Sequence, residues 1–242
     1  MRIFTVDAET APMDTWAWGC YDQFINPMTQ IKEPTYLLSW AGKFSDERKV
    51  RYHDVHGQDM VHALHECLMQ ADAVVTYNGN KFDLKHFNRE FLLAGLAPTR
   101  PIPSIDLLPA VKRQFSFPSY KLDYVASQVL GERKLDTGGF DLWPAFMEGD
   151  PKAVRLMSRY NKRDTVLTEK LYKHVKPWIP NHPYLGSPDV DIDDYEQEYE
   201  CPSCLSTQVV LERPRRTRCF AIRQVRCANC GAWSDGKRKK LV

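Results

Sequence analysis

The sequence predicts an α/β fold, in which helices flank a mixed sheet, with a small C-terminal β module added. Three observations carry this prediction. Residues rich in β-branched and aromatic side chains give three strands, 2–9, 35–41 and 49–55, before any helix. Amphipathic helical patterns and a further apolar strand near 74–76 follow. Near the end, two Cys-x-x-Cys pairs bracket a β-rich stretch.

The composition is that of a soluble globular protein. The 242 residues are 43% hydrophobic and 26% charged, which suffices for one large domain plus a small one. The start has no signal-peptide pattern, and no stretch approaches the roughly 18 apolar residues of a membrane helix. We therefore expect a cytoplasmic protein without a membrane partner. Seven cysteines in a reducing compartment favour metal ligands over disulfides.

Proline and charge divide the chain into three parts. Four prolines fall between 177 and 188, and residues 186–200 hold seven acids and no Lys or Arg. Residues 201–242 then hold ten Lys or Arg against two acids. The predicted parts are a domain at 1–178, a Pro-rich and then acidic linker at 179–200, and a basic module at 201–242.

The first strand carries an acidic pair, Asp7 and Glu9. Side chains two apart on a strand project to one face, so the two carboxylates lie side by side. They repel each other unless a cation lies between them, and hard divalent ions prefer oxygen ligands. The pair indicates a metal site; the alternative is a solvated strand edge.

Two later segments supply more carboxylate. Asp83 follows an apolar strand and an Asn78-Gly79 turn at the start of a helix, where it could instead be an N-cap. Tyr160 and Asp164 are four apart in a long helical pattern at 151–174 and share one face. The alternative there is a core tyrosine beside a surface acid.

The remaining elements are read from period and turn signals. Helices are predicted at 59–70, 84–96, 122–130 and 141–148, and Asp106 is expected to be an N-cap or strand end. Residues 10–30 have no steady period and predict a loop beside the first strand. Its aromatics Trp16 and Trp18 could stack on an unpaired base, or close the end of the core.

Taken in order, these segments resemble the three motifs of the DEDD superfamily of ribonuclease-H-like 3′ to 5′ exonucleases, which includes polymerase proofreading domains. Asp7 and Glu9 match the first motif, Asn78-Gly79-x-x-Phe82-Asp83 the second and Tyr160-x-x-x-Asp164 the third. The second motif is most similar to that of family B polymerases. The third motif has Tyr, not His, four residues before its Asp, so it resembles the tyrosine branch of the superfamily. The resemblance covers about residues 1–178 and includes stand-alone exonucleases of phages and prokaryotes.

The resemblance implies a ribonuclease-H-like fold and a 3′ to 5′ exonuclease in bacterial or phage-infected cytoplasm. Its catalytic residues are expected to be Asp7, Glu9, Asp83, Tyr160 and Asp164. The four carboxylates would hold two magnesium or manganese ions, and Tyr160 would position the attacking water. DNA single strands or frayed ends are the favoured substrate, with RNA left open. The alternatives are a structure-selective endonuclease or resolvase on the same fold, or a non-catalytic nucleic-acid-binding protein.

Substrate contacts are expected from residues near these motifs. By the same resemblance, Asn78 would touch the terminal nucleotide. Lys81 and Arg163 are candidates for phosphate contacts, although basic residues on a helix are usually a solvated face. Trp16 and Trp18 complete the set of predicted substrate-binding residues.

The C-terminal module carries a second constellation. Cys201 and Cys204 are separated by 22 residues from Cys227 and Cys230, with β-rich 208–212 and 220–226 between. Four such thiolates match a structural tetrahedral zinc site, and the module resembles a zinc ribbon. Cys219, Cys20 and Cys67 are expected to be incidental thiols. The ten basic residues predict a module that binds nucleic acid through phosphates; docking to a replication or repair protein is the alternative.

Overall fold

The computed structural model describes residues 2–57, 59–179, 182–183, 199–201 and 204–241. The strands of its larger part are β1 (Ile3–Thr10), β2 (Asp14–Thr15), β3 (Ile31–Glu33), β4 (Leu37–Phe44), β5 (Arg51–Asp54), β6 (Ala73–Thr76) and β7 (Ser104–Asp106). The helices are α1 (Met60–Gln70), α2 (Asp83–Leu93), α3 (Leu107–Gln114), α4 (Leu122–Leu130), α5 (Leu142–Met147) and α6 (Pro151–Val175).

Five of these strands form one mixed sheet of order β5-β4-β1-β6-β7. β1 pairs antiparallel with β4, and β4 with β5, whereas β6 runs parallel to β1 and β7 parallel to β6. The predicted mixed sheet flanked by helices is therefore confirmed. β2, which lies inside the predicted loop at 10–30, pairs antiparallel with β3, which follows that loop directly.

Apolar side chains fill both faces of the sheet. On one face, Phe4, Val6 and Val74 pack against α1 and α2. On the other, Ile3, Val75 and Ile105 pack against α3, α4 and α6. The alternation of neighbours Ile3 and Phe4 between the two faces is the period-2 pattern of a strand buried on both sides. The centre of β1 is held rigidly as a result.

Helix α6 is the longest element, with 25 residues. Asp150 caps it by accepting hydrogen bonds from the backbone N–H groups of Lys152 (2.9 Å) and Ala153 (2.8 Å), and Pro151 occupies the first turn. Its buried face includes Met157, which packs on α5, and Leu167, which packs on the sheet. None of the helices in the described residues has the length and apolar character needed to cross a bilayer.

The C-terminal module is a three-stranded antiparallel sheet. Its strands, β8 (Val209–Arg216), β9 (Phe220–Cys227) and β10 (Trp233–Lys240), lie in the order β10-β9-β8. Two of these strands were predicted; β10 was read as a basic tail. The predicted linker at 179–200 falls mostly outside the described residues, so the domain boundaries stay a prediction.

The module contacts the larger part at the C-terminal end of α1. Arg213 donates to the carbonyl oxygens of Met69 (3.1 Å) and Gln70 (2.5 Å) and pairs with Asp72 at 3.2 Å. The Trp233 indole N–H donates to the carbonyl of Pro98 at 2.9 Å. Because the last carbonyls of a helix lack partners within it, Arg213 satisfies groups that α1 itself leaves open.

Candidate active site

Three carboxylates from two layers of the fold meet at one point. Asp7 and Glu9 project from the second half of β1, and Asp164 comes from the buried face of α6. One oxygen atom of each lies within 4.8 Å of the others. The structure thus brings together residues that are more than 150 positions apart in the sequence.

Asp83 lies beside this cluster at the start of α2. It is buried, and its Oδ1 accepts a hydrogen bond from the Ala8 N–H at 3.1 Å. Because β6 pairs with β1 only along Ile3–Thr5, the Ala8 N–H is left for this carboxylate. Asp83 is not part of the three-acid group formed within the described residues, but its charge helps to raise the pKa of Asp7.

The shared burial changes the acidity of all four groups. Burial, and then the charges of Asp164, Asp83 and Glu9, raise the pKa of Asp7 well above its ordinary value. Burial also raises the pKa of Glu9 to about 8 and that of Asp83 to about 7, and it raises the pKa of Asp164. Like charges in a buried site cannot all ionise without a compensating cation.

Lys134 supplies one such cation. Its Nζ lies 2.5 Å from Asp164 Oδ2 and donates to the Tyr160 hydroxyl at 2.9 Å. Burial opposes its charge, but Asp164 and Tyr160 raise the pKa of Lys134 above the ordinary range, so the ammonium persists. No sequence period assigns this residue to the site, because it lies in the irregular segment between α4 and α5.

Tyr160 contacts both Lys134 and Trp143 of α5. Its hydroxyl accepts the Lys134 hydrogen bond, and its ring meets the Trp143 ring edge to face at 6.2 Å. Burial, and then the charge of Asp164, raise the pKa of Tyr160, so the hydroxyl stays protonated. A protonated phenol can orient a water molecule, but it cannot accept that molecule's proton.

A buried polar chain orients Asp7. The Asn161 side-chain amide donates to Asp7 Oδ2 at 2.7 Å, and the Ser39 hydroxyl donates to Asn161 Oδ1 at 3.3 Å. Ser39 and Asn161 are fully buried. Asn161 was not predicted as a site residue, although its place between Met157 and Asp164 on the buried helix face was a usable signal.

The Asn78-Gly79 turn forms the rim of the site. Asn78 has a left-handed backbone with φ 70°, and a Cβ on Gly79 would lie 2.4 Å from the Thr76 side chain. The Asp106 carboxylate accepts from the N–H groups of Asn78 (2.7 Å) and Asn80 (3.1 Å). It also caps α3, so the predicted N-cap role of Asp106 is confirmed.

A cleft of about 600 Å³ opens between this turn and the carboxylates. Asp7 and Asn78 line it together with Lys112, Tyr120, Lys121 and Lys134. These three lysines outnumber the two acids of the lining, Asp7 and Asp123, and an excess of positive charge favours an anionic ligand. The cleft lies at the carboxyl ends of the parallel strands β1 and β6, where open α/β sheets bind ligands.

The other predicted substrate residues lie outside this lining. Lys81 is exposed on the turn, and Arg163 pairs with Glu132 at 2.9 Å. Trp16 and Trp18 are 66% and 98% exposed on the segment that holds the β2–β3 hairpin. The Lys32 ammonium lies 3.7 Å from the centre of the Trp16 ring and covers one of its faces. Their roles in substrate binding stay predictions.

The four module cysteines converge as the spacing predicts. Cys201 and Cys230 place their sulfurs 3.6 Å apart, and Cys204 and Cys227 place theirs 3.7 Å apart. Four sulfurs about 2.3 Å from a central zinc would be about 3.8 Å from one another, so the cluster fits a tetrahedral metal site. Cys219, Cys20 and Cys67 lie outside the cluster formed by the described residues.

The fold and the carboxylate cleft define a class of protein: an RNase H-like α/β protein with an acidic site at the carboxyl ends of its parallel strands. The model of the RNase_H superfamily matches residues 22–176. The chain belongs to this superfamily. The matched range contains Asp83, Tyr160 and Asp164 and begins after Asp7 and Glu9.

Similar proteins are DNA polymerases. The chain is 31% identical over 126 residues, 45% of its length, to DNA polymerase 120R of Invertebrate iridescent virus 3. It is 28% identical over 129 residues, 44% of its length, to the DNA polymerase of Thermococcus aggregans. These matches span 11% and 7% of the two polymerases.

A solved structure supports the fold. The family B DNA polymerase of Pyrobaculum calidifontis superposes on 73% of this chain and 24% of its own, with a TM-score of 0.53 and 19% identity. At 19% identity, this likeness shows a shared fold.

Proposed function

We propose that this protein is a metal-dependent exonuclease that removes nucleotides from the 3′ end of nucleic acid, with DNA as the favoured substrate. The observation that carries the proposal is the meeting of Asp7, Glu9 and Asp164, with Asp7 and the adjacent Lys134 lining the cleft. The 3′ to 5′ direction rests on the order of the three motifs. DNA is favoured because the curated relatives are DNA polymerases.

The donor set fits divalent cations. Carboxylate oxygens are the ligands that magnesium and manganese prefer. Asp164 Oδ1 is buried and has no hydrogen-bond partner among the described residues, so one lone-pair site points at no protein donor. Asp7, Glu9 and Asp164 would hold one ion, and Asp7 with Asp83 a second. Bound there, the ions would supply an activated water and stabilise the leaving 3′ oxygen.

The protein's own groups have distinct tasks. Asn161 fixes Asp7 by donating a hydrogen bond to its Oδ2. The Tyr160 hydroxyl, held by Lys134, orients the water, and the Lys134 ammonium offsets negative charge on the phosphodiester. Asn78 and Lys121 line the part of the cleft that would receive the terminal nucleotide.

The test is hydrolysis of a DNA oligonucleotide and its RNA counterpart with magnesium, with manganese and with neither. Wild type should release mononucleotides in the presence of either ion. Asp7→Ala and Asp164→Asn should each lower kcat by roughly 10² to 10³-fold, the effect of losing several kcal/mol of charge stabilisation. An active Asp7→Ala enzyme would overturn the metal assignment. In a calorimetric titration, Asp7→Ala and Asp164→Asn should also bind manganese more weakly than wild type. This measurement does not depend on turnover.

A further inference from the structure

Helix α6 carries a row of basic residues on the side that faces away from the carboxylates. Lys152, Arg155, Arg159 and Lys162 are spaced by three, four and three residues, which places them on one helix face. Since each residue turns an α-helix by about 100°, Arg155 lies about 180° from Asp164. These four residues form the basic stripe.

The basic stripe lacks the neutralising partners that the rest of the helix has. Arg163 and Lys170 pair with Glu132 at 2.9 and 2.6 Å, and Lys173 pairs with Glu169 at 2.9 Å. Within the described residues, none of the four stripe cations forms an ion pair. Asp150, which precedes the helix, caps its first turn.

Such a row is costly to the isolated helix. Arg155 and Arg159 are four apart, and like charges at this spacing destabilise a helix. Their charge thus works against the local structure that carries it. A local conflict of this kind points to a functional demand on the surface.

A groove runs beside the basic stripe. A cavity of about 830 Å³ lies between the start of α6 and β5, the edge strand of the sheet. It is lined by the apolar and aromatic side chains of Val154, Leu156 and Tyr52 and by the cationic side chains of Lys152, Arg155 and Arg159. The Lys162 ammonium lies 5.1 Å from the centre of the Tyr52 ring. The groove therefore combines apolar surface with positive charge.

We propose that the basic stripe binds the phosphate backbone of the substrate strand, several nucleotides away from the end in the cleft. This inference rests on the proposed function, since the same rigid helix carries Tyr160 and Asp164 on its other face. The ten helical steps from Lys152 to Lys162 extend about 15 Å, which spans about four phosphates at about 3.4 Å per strand in a duplex. We choose a nucleic acid and not an acidic protein as the ligand of the basic stripe, because the cleft beside the same helix would hold the end of the same strand.

The experiment compares two double variants of the full-length protein. Arg155→Gln with Arg159→Gln removes two stripe charges. Lys170→Gln with Lys173→Gln removes two ion-paired charges from the same helix; Glu132 keeps Arg163 and Glu169 keeps Lys43 as partners. Circular dichroism checks the fold. Dissociation constants for a 30-mer and a 5-mer of single-stranded DNA are measured by anisotropy between 50 and 300 mM salt, without added magnesium or manganese.

The stripe variant should weaken 30-mer binding about tenfold at low salt. The slope of log affinity against log salt should become shallower by about 1.4, the value for two single-strand phosphate contacts at about 0.7 each. The 5-mer affinity of the stripe variant and both affinities of the control should stay within twofold of wild type. This pattern would locate the contact on the far face of α6.

Three outcomes would overturn the proposal. An unchanged 30-mer affinity and salt slope would make the stripe a solvated face. An equal loss of 30-mer affinity in the control variant would show that only the net charge of the protein matters. Stripe-dependent binding of polyglutamate in preference to DNA would identify an acidic protein as the ligand. A wild-type protein that binds the 30-mer through the stripe yet hydrolyses nothing would overturn the proposed function and leave this site standing.

Discussion

Burial gives the carboxylates of the candidate site an unusual pH response. The pKa of Glu9 is raised to about 8 and that of Asp83 to about 7, whereas such groups titrate near 4 in an unfolded chain. Between roughly pH 4 and 8 the folded protein without metal therefore holds more protons than the unfolded chain, and its free energy of unfolding falls as pH rises.

We therefore expect the Tm of protein without added magnesium or manganese to fall between pH 5 and pH 8. Magnesium should remove most of this fall, because the ion replaces the protons. Glu9→Gln should flatten the profile, and Glu66→Gln, which changes an exposed acid on α1, should not. Scanning calorimetry measures the Tm of wild type with and without magnesium and of the two variants. A Tm that rises across this window without the ion would contradict the burial account.

The hydroxyl of Tyr160 offers a milder substitution. Tyr160→Phe removes the group that accepts from Lys134 and keeps the ring against Trp143. Losing one hydrogen bond to a charged partner, about 1.5 kcal/mol, should lower kcat about tenfold with little change in KM. Single-turnover rates on a short oligonucleotide check this. A variant as fast as wild type would remove tyrosine from water positioning.

Sequence reasoning reached the carboxylates, Tyr160 and Asn78, but not Lys134 or Asn161. Asp7 and Glu9 share a strand face, and Tyr160 and Asp164 share a helix face, so periodicity alone aligns each pair. Lys134 lies in an irregular segment, where a side chain's direction depends on tertiary packing that no local pattern encodes.

At the scale of elements, the C-terminal module should depend on its four cysteines. Cys204→Ser removes one of four clustered sulfurs and should abolish zinc binding and unfold the small sheet. Cys219→Ser is the matched control, since its sulfur lies outside the cluster among the described residues. The zinc content of each variant is measured after gel filtration, and its fold is checked by circular dichroism. Full zinc in Cys204→Ser would contradict the assignment.

Element boundaries followed the strength of the local pattern. Helix α6 was predicted almost to the residue because its apolar period is long and Asp150-Pro151 marks its start. The shorter α4 was predicted at its observed bounds, and it ends at Gly131, which has a left-handed backbone. Helix α3 was missed because it is short and contains Pro109, which the first turn tolerates since its N–H needs no partner there. β10 was missed because Lys237 to Lys240 lack the apolar alternation of a half-buried strand.

At the scale of the molecule, the module and the cleft occupy opposite ends of the sheet. Arg213 meets Asp72, which precedes β6, whereas the Asn78 turn and Asp83 follow it. The four residues of β6 separate the two by roughly 13 Å. Arg213 therefore lies at the end of β6 away from the cleft.

Truncation after about Tyr184 tests this arrangement. The larger part should stay folded, since its own sheet and helices hold the core, and should turn over saturating short oligonucleotides near the wild-type rate. Binding to long strands should weaken, with a shallower salt slope, because phosphate contacts are lost. Anisotropy titrations on 5-mer and 30-mer DNA measure this. Unchanged affinity and salt slope would redirect the module's role to a protein partner.

The most direct test of the account is the product pattern from a single strand labelled at its 5′ end. With magnesium or manganese, removal of nucleotides from the 3′ end predicts a ladder of labelled products, each shorter by one nucleotide, that shifts steadily with time. The ladder should disappear in Asp7→Ala. A labelled mononucleotide released at once would indicate the opposite direction. A few fixed internal fragments would identify an endonuclease, and either pattern would contradict the proposed function.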